Sequence, residues 1–207
     1  LEKSSDFSIL YEHEVTDFIA ENNKIQAIET NKGRIEADDF VVAAGNGSTA
    51  IFNKVGISVP VYPLKGYSLT LPFPEQGDIV PNMSVTDYAN KIVYAKLGNQ
   101  LRIAAMVDIG YQDVDIRKER MNALKETVRK TFPDLVGVDT AEEWSGLRPS
   151  TPKGPPILGR TNYANLWSTI GQGSLGFTLA AGSAIVISQL ISQASSPIAL
   201  DGLSLEK

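Results

Sequence analysis

Trp144-Ser145-Gly146-Leu147-Arg148-Pro149 leads into Thr151-Pro152-Lys153-Gly154-Pro155-Pro156-Ile157-Leu158-Gly159, and then Leu166-Trp167-Ser168-Thr169-Ile170 runs into Gly171-Gln172-Gly173-Ser174-Leu175-Gly176 at the head of a long apolar stretch. The reading of this run decides the fold. A short, mostly apolar segment, a glycine-rich turn and a helix-length segment of small and apolar residues predict strand, tight turn and helix. Backbone amides at the start of such a helix face a positively polarised end, which suits an electron-rich group. Arg148 stands a short loop upstream, and a guanidinium fork suits a carboxylate. An anion or polarisable ring together with a carboxylate substrate is the expectation that the run sets.

The rest of the composition narrows the chemistry. The chain has 207 residues, enough for one large domain or two small ones, with a formal charge of -5. That balance argues against nucleic acid, which calls for a basic face. There is no cysteine, so disulfides, thiolate zinc sites and cysteine-held clusters are excluded. The single histidine, His13, makes a histidine metal cluster or a Ser-His-Asp triad a poor reading, and no metal site is expected. It is read as an ordinary strand histidine, with Glu12 and Glu14 on the opposite face. Leu1 to Asp6 is neither a signal peptide nor an initiator methionine, so the chain is expected to begin mid-protein. No charged residue occurs from Thr161 to Leu200, a length that raises a membrane span. Gly171, Gly173, Gly176 and Gly182, with Gln172, Gln189 and Gln193, argue instead for a helix buried within the protein and for no transmembrane segment.

Along the chain, Ser8 to Phe18 and Lys24 to Thr30 read as strands, with a hairpin turn at Asn31-Lys32-Gly33 and a continuation over Arg34 to Glu36. Asp39-Phe40-Val41-Val42-Ala43-Ala44 reads as a buried strand, followed by Gly45-Asn46-Gly47-Ser48 and a short helix that Gly56 stops. Val59 to Leu71 is strand-like, and a hairpin over Asp87 to Leu97 and Leu101 to Val107 turns at Gly98-Asn99. Asp113 or Asp115 is expected to cap a helix that runs to about Thr131, with Met121, Leu124, Val128 and Phe132 as its apolar stripe. The layout places residues 57–141 as an insertion in a domain made by the two ends, residues 1–56 and 142–207.

Two stretches imitate a dinucleotide fingerprint: Gly45-Asn46-Gly47-Ser48-Thr49-Ala50 and Gly171 to Gly176. Neither is followed by a clean second strand ending in an acidic residue about twenty positions on, which argues against a self-contained nicotinamide unit. At the first, a tight packing turn and cofactor contact stand as equal readings; at the second, Arg148 favours contact. Arg148 itself is read in a defined loop, either gripping a carboxylate or serving as a structural arginine. Lys65-Gly66 is either a cation beside a cofactor ring or a solvated turn lysine. Tyr62, Tyr67, Tyr88 and Tyr94 fit either a substrate pocket or ordinary packing.

Val61 to Leu69, Leu101 to Met106, Trp144 to Gly159 and Asn165 to Leu190 together resemble the C-terminal half of D-amino acid dehydrogenase small subunits, in the D-amino acid oxidase/glycine oxidase group of FAD-dependent oxidoreductases. The resemblance implies an α/β, mixed α+β fold: part of a Rossmann-like FAD-binding domain with an inserted mixed-sheet substrate domain. It implies that Arg148 grips the substrate carboxylate; Tyr62 and Tyr88 stand as candidate pocket tyrosines on residue type alone, since no tyrosine role carries over from the family. It places Val15 near the adenine and Gly45 near the far end of FAD. It lays Gly171, Gly173, Ser174, Leu175, Gly176, Phe177 and Thr178 against the flavin, with Lys65 and Gly66 as further contacts. No side chain is implied as a catalytic acid or base. The implied reaction is hydride transfer from the substrate α-carbon to FAD, giving an imino acid that hydrolyses to a 2-oxo acid and ammonia. The alternatives are an amine oxidase of glycine or sarcosine type and a non-catalytic fragment. Two departures stand out: Gln172 replaces the histidine usual in the dehydrogenases, and the region around Tyr88 leaves the family pattern. The N-terminal FAD fingerprint is absent, so this chain alone is expected not to retain FAD. The expected partners are an amino acid substrate, the missing N-terminal FAD-binding segment and an electron acceptor. The expected location is cytoplasmic, or peripheral at the inner membrane.

Overall fold

The computed structural model describes residues 6–74 and 79–205. Along the chain lie β1 (Val15–Glu21), β2 (Lys24–Thr30), β3 (Gly33–Glu36), β4 (Phe40–Val42) and α1 (Ser48–Asn53). Next are β5 (Tyr62–Pro72), β6 (Val85–Asp87), β7 (Ile92–Leu97), β8 (Gln100–Ile109) and α2 (Lys118–Thr131). The chain ends with β9 (Glu142–Ser150), β10 (Ile157–Arg160), β11 (Leu166–Ile170) and α3 (Gly176–Ile191). Two compact units result: Leu1–Tyr62 with Pro149–Lys207, and Pro63–Arg148.

In the unit made by the two ends, β1, β2 and β3 form an antiparallel meander, and β10, β11 and β4 form a second sheet. Within it β11 pairs antiparallel with β10 and parallel with β4, Leu166 facing Phe40 and Ser168 facing Val42. Ile25, Phe40, Val42, Phe52, Ile157, Leu166 and Ile170 share one core. Asn165 ties the two sheets together. Its side chain accepts from the Ile25 amide at 2.8 Å and donates to the carbonyls of Ile25 and Asp38, both at 2.8 Å. A buried amide with its donors and acceptor all used fixes the register of both strands at once.

The Pro63–Arg148 unit is a sheet in the order β6-β7-β8-β5-β9 with α2 on one face. Strand alternation explains which residues α2 covers: Tyr67, Leu69 and Leu71 of β5, Ile92 and Tyr94 of β7, and Leu101, Ile103 and Ala105 of β8 point the same way. Met121, Leu124 and Val128, at helical spacing, fill that face. Each such side chain contributes roughly 1.5–3 kcal/mol on burial.

Several expectations need correction. Ser8 to Glu14 is not strand; the chain turns at Tyr11-Glu12, with Glu12 at φ 57°, so His13 lies ahead of β1 and its Nδ1 sits 2.9 Å from the Tyr11 carbonyl. The apolar strand over 39–44 shrinks to Phe40–Val42, with Val41 exposed. Neither Asp113 nor Asp115 caps α2, whose N-cap is Arg117 without a side-chain bond, because Asp113 is taken by Lys65 and Arg117. The last helix is not buried within this chain: only Ser183, Val186 and Ile187 of α3 are buried, and Phe177 is wholly exposed. By length and composition Gly173–Ile191 is apolar enough to cross a membrane.

Candidate active site

On the face of the Pro63–Arg148 sheet away from α2, β5 presents Gly66 and β9 presents Arg148. Arg148 is thus a strand residue and not a loop residue, since β9 runs through to Ser150. A Cβ on residue 66 would overlap Nη1, Nη2 and Cζ of the Arg148 guanidinium, so glycine is what lets the arginine lie against the β5 backbone. Opposite Gly66 the β5–β8 ladder slips. Lys65 faces Asp108 and Tyr67 faces Ala105, leaving Met106 and Val107 against one residue. This is a β-bulge, and Met106 takes the left-handed backbone at φ 66°. The bulge turns out the Met106 carbonyl, which accepts from Arg148 Nη1 at 3.1 Å. Burial pushes the Arg148 pKa below its ordinary value. Further along the same face of β9, a Cβ on residue 146 would overlap the Trp144 indole, and the Arg102 guanidinium lies 5.3 Å from that ring.

Behind Gly66, Lys65 is buried at 0% exposure and donates to the Asp113 carboxylate at 2.7 Å and the Asp115 carbonyl at 2.5 Å. The turn-lysine reading is therefore corrected: Lys65 sits inside a strand, and its ammonium is committed to Asp113. That bond holds Asp113 below the usual carboxylate range, helped by the Asp115 amide. Tyr67 donates to Asp108 at 3.1 Å; burial first, and then that carboxylate, push the phenol up to about 12. Tyr88 is 78% exposed in the turn after β6, with Lys91 over its ring at 3.8 Å, apart from the Gly66–Arg148 contact.

In the other unit the two glycine turns come together for a topological reason. They follow the parallel strands β4 and β11, so both leave the sheet at the same carboxyl end, the edge where open α/β sheets bind ligands. The segment after Arg148 runs alongside both. A Cβ on Gly45 would sit 3.9 Å from Pro149, one on Gly173 would sit 3.7 Å from Ser150, and one on Gly171 would overlap the Thr151 methyl. Ser150 also bridges Gln172. Gly45, Gly171 and Gly173 all have positive φ. Gly173–Leu175 forms a 3₁₀ turn before α3, and neither helix start carries a side-chain cap. Leu175 and Phe177 are exposed there. Val15 opens β1 and Tyr62 opens β5, both in this unit, and neither is drawn into the glycine cluster by a described contact.

A family model described as FAD dependent oxidoreductase (DAO) matches residues 6–190. The chain belongs to that family. Among its relatives, D-amino acid dehydrogenase 2 of Pseudomonas aeruginosa is 43% identical over 94% of this chain and 46% of the relative. D-amino acid dehydrogenase of Granulibacter bethesdensis is 37% identical over 89% of this chain and 44% of its own length. The chain therefore spans about half the length of the curated relatives it matches. Glycine oxidase from Geobacillus kaustophilus shares the fold at a TM-score of 0.81 and 24% identity, covering 94% of this chain and 52% of that structure. L-proline dehydrogenase from P. horikoshii does so at 0.81 and 21%, covering 93% and 52%. The mixed α/β expectation and the expected family hold.

The glycine cluster fits the cofactor of the DAO family. The turn ahead of α3 has no capping side chain, and the first N–H groups of a helix suit an electron-rich ring or phosphate. Sequence reasoning singled out the glycines and Arg148 but not Met106, Asp113 and Ser145, which the structure places at or behind the Gly66–Arg148 contact. Met106 betrays nothing in its residue type, because its role is a backbone carbonyl at a bulge. Asp113 and Ser145 act through contacts across at least 31 positions of chain, which no local pattern reports.

Proposed function

We propose that this chain supplies the carboxylate-binding arm and part of the cofactor cradle of an FAD-dependent enzyme that oxidatively deaminates D-amino acids to 2-oxo acids and ammonia. The observation that carries the reading is the Arg148 guanidinium, seated on Gly66 and oriented by the Met106 carbonyl. The relatives named D-amino acid dehydrogenase support the substrate class. The Pro63–Arg148 unit is assigned to substrate, with Arg148 holding the carboxylate. The other unit is assigned to FAD, with Gly45, Gly171, Gly173 to Thr178 and Val15 along it. FAD supplies the oxidising step by accepting the hydride of the substrate α-carbon. Arg148 orients that carbon by fixing the carboxylate. An electron acceptor then reoxidises the enzyme; peroxide release would identify it as oxygen and favour the oxidase alternative.

Alone, the chain does not hold FAD on this reading, and tight stoichiometric quenching of flavin fluorescence by the isolated chain would refute that. The exposed apolar side of α3 is assigned to contact with the remaining half of the enzyme and not to lipid, which leaves the protein cytoplasmic or peripheral at the inner membrane. The deciding experiment is steady-state kinetics on the complete enzyme with D-alanine and D-alaninamide. A charge-assisted fork contributes roughly 1.5–3 kcal/mol, so Arg148→Ala should cost about ten- to a hundredfold in apparent affinity for the acid. Arg148→Lys keeps the charge without the fork and should recover part. If the wild type favours the acid and Arg148→Ala favours it equally, the carboxylate is held elsewhere.

A further inference from the structure

We propose that Lys65 and Ser145 are positioning residues for Arg148: from the back of the sheet they grip one short segment, Asp113 to Asp115, and so hold β5 and β9 in the one relation that seats the guanidinium on Gly66. This rests on Arg148 as the carboxylate-binding residue.

The argument begins with alternation. Gly66 and Arg148 meet on the face away from α2, so Lys65, one residue before Gly66, and Ser145, three before Arg148, point to the other face. Both are buried and polar, at 0% and 7% exposure. Burying a polar group is costly unless its hydrogen bonds are made. Lys65 makes them to Asp113 and to the Asp115 carbonyl, and its ammonium lies 5.8 Å and 5.4 Å from the Tyr67 and Tyr111 rings. The Ser145 hydroxyl donates to the Val114 carbonyl between them. Three consecutive residues are thus gripped, two from β5 and one from β9, which are neighbours in the sheet. Asp113 is itself braced by the Asp115 amide at 3.0 Å and by Arg117 at 3.2 Å. On the same face Lys125 of α2 pairs with Glu143 of β9 at 2.7 Å. The strap lies directly behind a glycine–arginine contact that leaves no room for a methyl group. A shift of about an ångström between the two strands would move the guanidinium off its place, and a misplacement of that size costs on the order of a hundredfold in a positioned site.

The test uses the complete flavoenzyme with Lys65→Met and Ser145→Ala, Ser145→Thr as the conservative variant that restores the hydroxyl, and Ile103→Val as a core control away from the strap. Tm is measured beside KM and kcat for D-alanine and D-alaninamide. The expected result is a KM for D-alanine raised at least about tenfold in Lys65→Met and Ser145→Ala, with kcat and the amide KM little changed. Ser145→Thr should recover the acid preference, and Ile103→Val should lower Tm without touching it. If Lys65→Met does not fold, Ser145→Ala against Ser145→Thr decides alone. Should Arg148→Ala abolish the acid preference while the folded strap variants keep it, the strap is structural only and this proposal is overturned. A wild type indifferent between acid and amide would instead overturn the reading of Arg148, and this proposal with it.

Discussion

The guanidinium of Arg148 occupies the space that a side chain on residue 66 would need. The contact is one-sided: Gly66 has no positive φ that would demand glycine, so the constraint is room and not backbone conformation. Gly66→Ala should therefore leave the fold intact, because the group that must give way is the far end of a flexible side chain. In a strand, replacing glycine by alanine contributes up to about 1 kcal/mol through the unfolded chain. Thermal melts should show Tm unchanged or raised, while the preference for D-alanine over D-alaninamide falls about tenfold. A variant that keeps the full preference would mean that Arg148 does not work from this seat.

Gly171 is constrained in the opposite way. Its φ of 78° is a conformation that side chains rarely adopt, and a Cβ would overlap the Thr151 methyl and lie 3.6 Å from Val61 Cγ2. Gly171→Ala should destabilise the protein by roughly 1–3 kcal/mol. Urea titration against wild type reads this directly, and a change within about 0.5 kcal/mol would show that the turn relaxes freely.

How much of this was legible before the structure differs by element. The strand–turn–helix over 166–191 was readable because its signals are local: an apolar run, glycines, then an uninterrupted helix-former stretch. Lys24 to Thr30 and the Gly98-Asn99 hairpin were readable for the same reason. Arg148 was picked out but placed in a loop because Pro149 follows it, whereas β9 runs on through that proline to Ser150. Strand β6 was missed, being three residues long and held only by its pairing with β7. The α3 error has a different origin. Its composition says buried, and the surface that would cover it is not formed by the described residues.

The Lys65–Asp113 bond makes a pH prediction with a definite sign. Asp113 is held below the ordinary carboxyl value of 3.8, so its bond contributes stability above that value and loses it as pH falls through the lower, folded-state pKa. Asp113→Asn should therefore melt below wild type at pH 6–7, and the gap should close as pH drops under about 3.8. Melting curves from neutral to strongly acid pH check it. A gap that stays constant across that range would assign the loss to packing and not to the charge.

Gly176 separates the needs of the fold from those of the cofactor. It sits at the head of α3 with ordinary right-handed helical angles, φ -53° and ψ -46°, and the nearest atom to a Cβ there is that of Gln172 at 4.0 Å. Among the described residues nothing requires glycine there, and alanine in a helix is favoured over glycine by roughly 0.5–1 kcal/mol. Gly176→Ala in the isolated chain should accordingly be neutral or stabilising by urea titration. If the uncapped turn lies against the flavin, as proposed, the complete enzyme should respond in the other direction. Gly176→Val would then push the turn amides away from the ring, lowering flavin content on purification and raising the Kd for FAD on reconstitution of the apoenzyme. The two measurements together are decisive. A stabilised chain with depleted flavin places the cofactor on this turn, whereas Gly176→Val with full flavin content would show that the turn is not a contact surface.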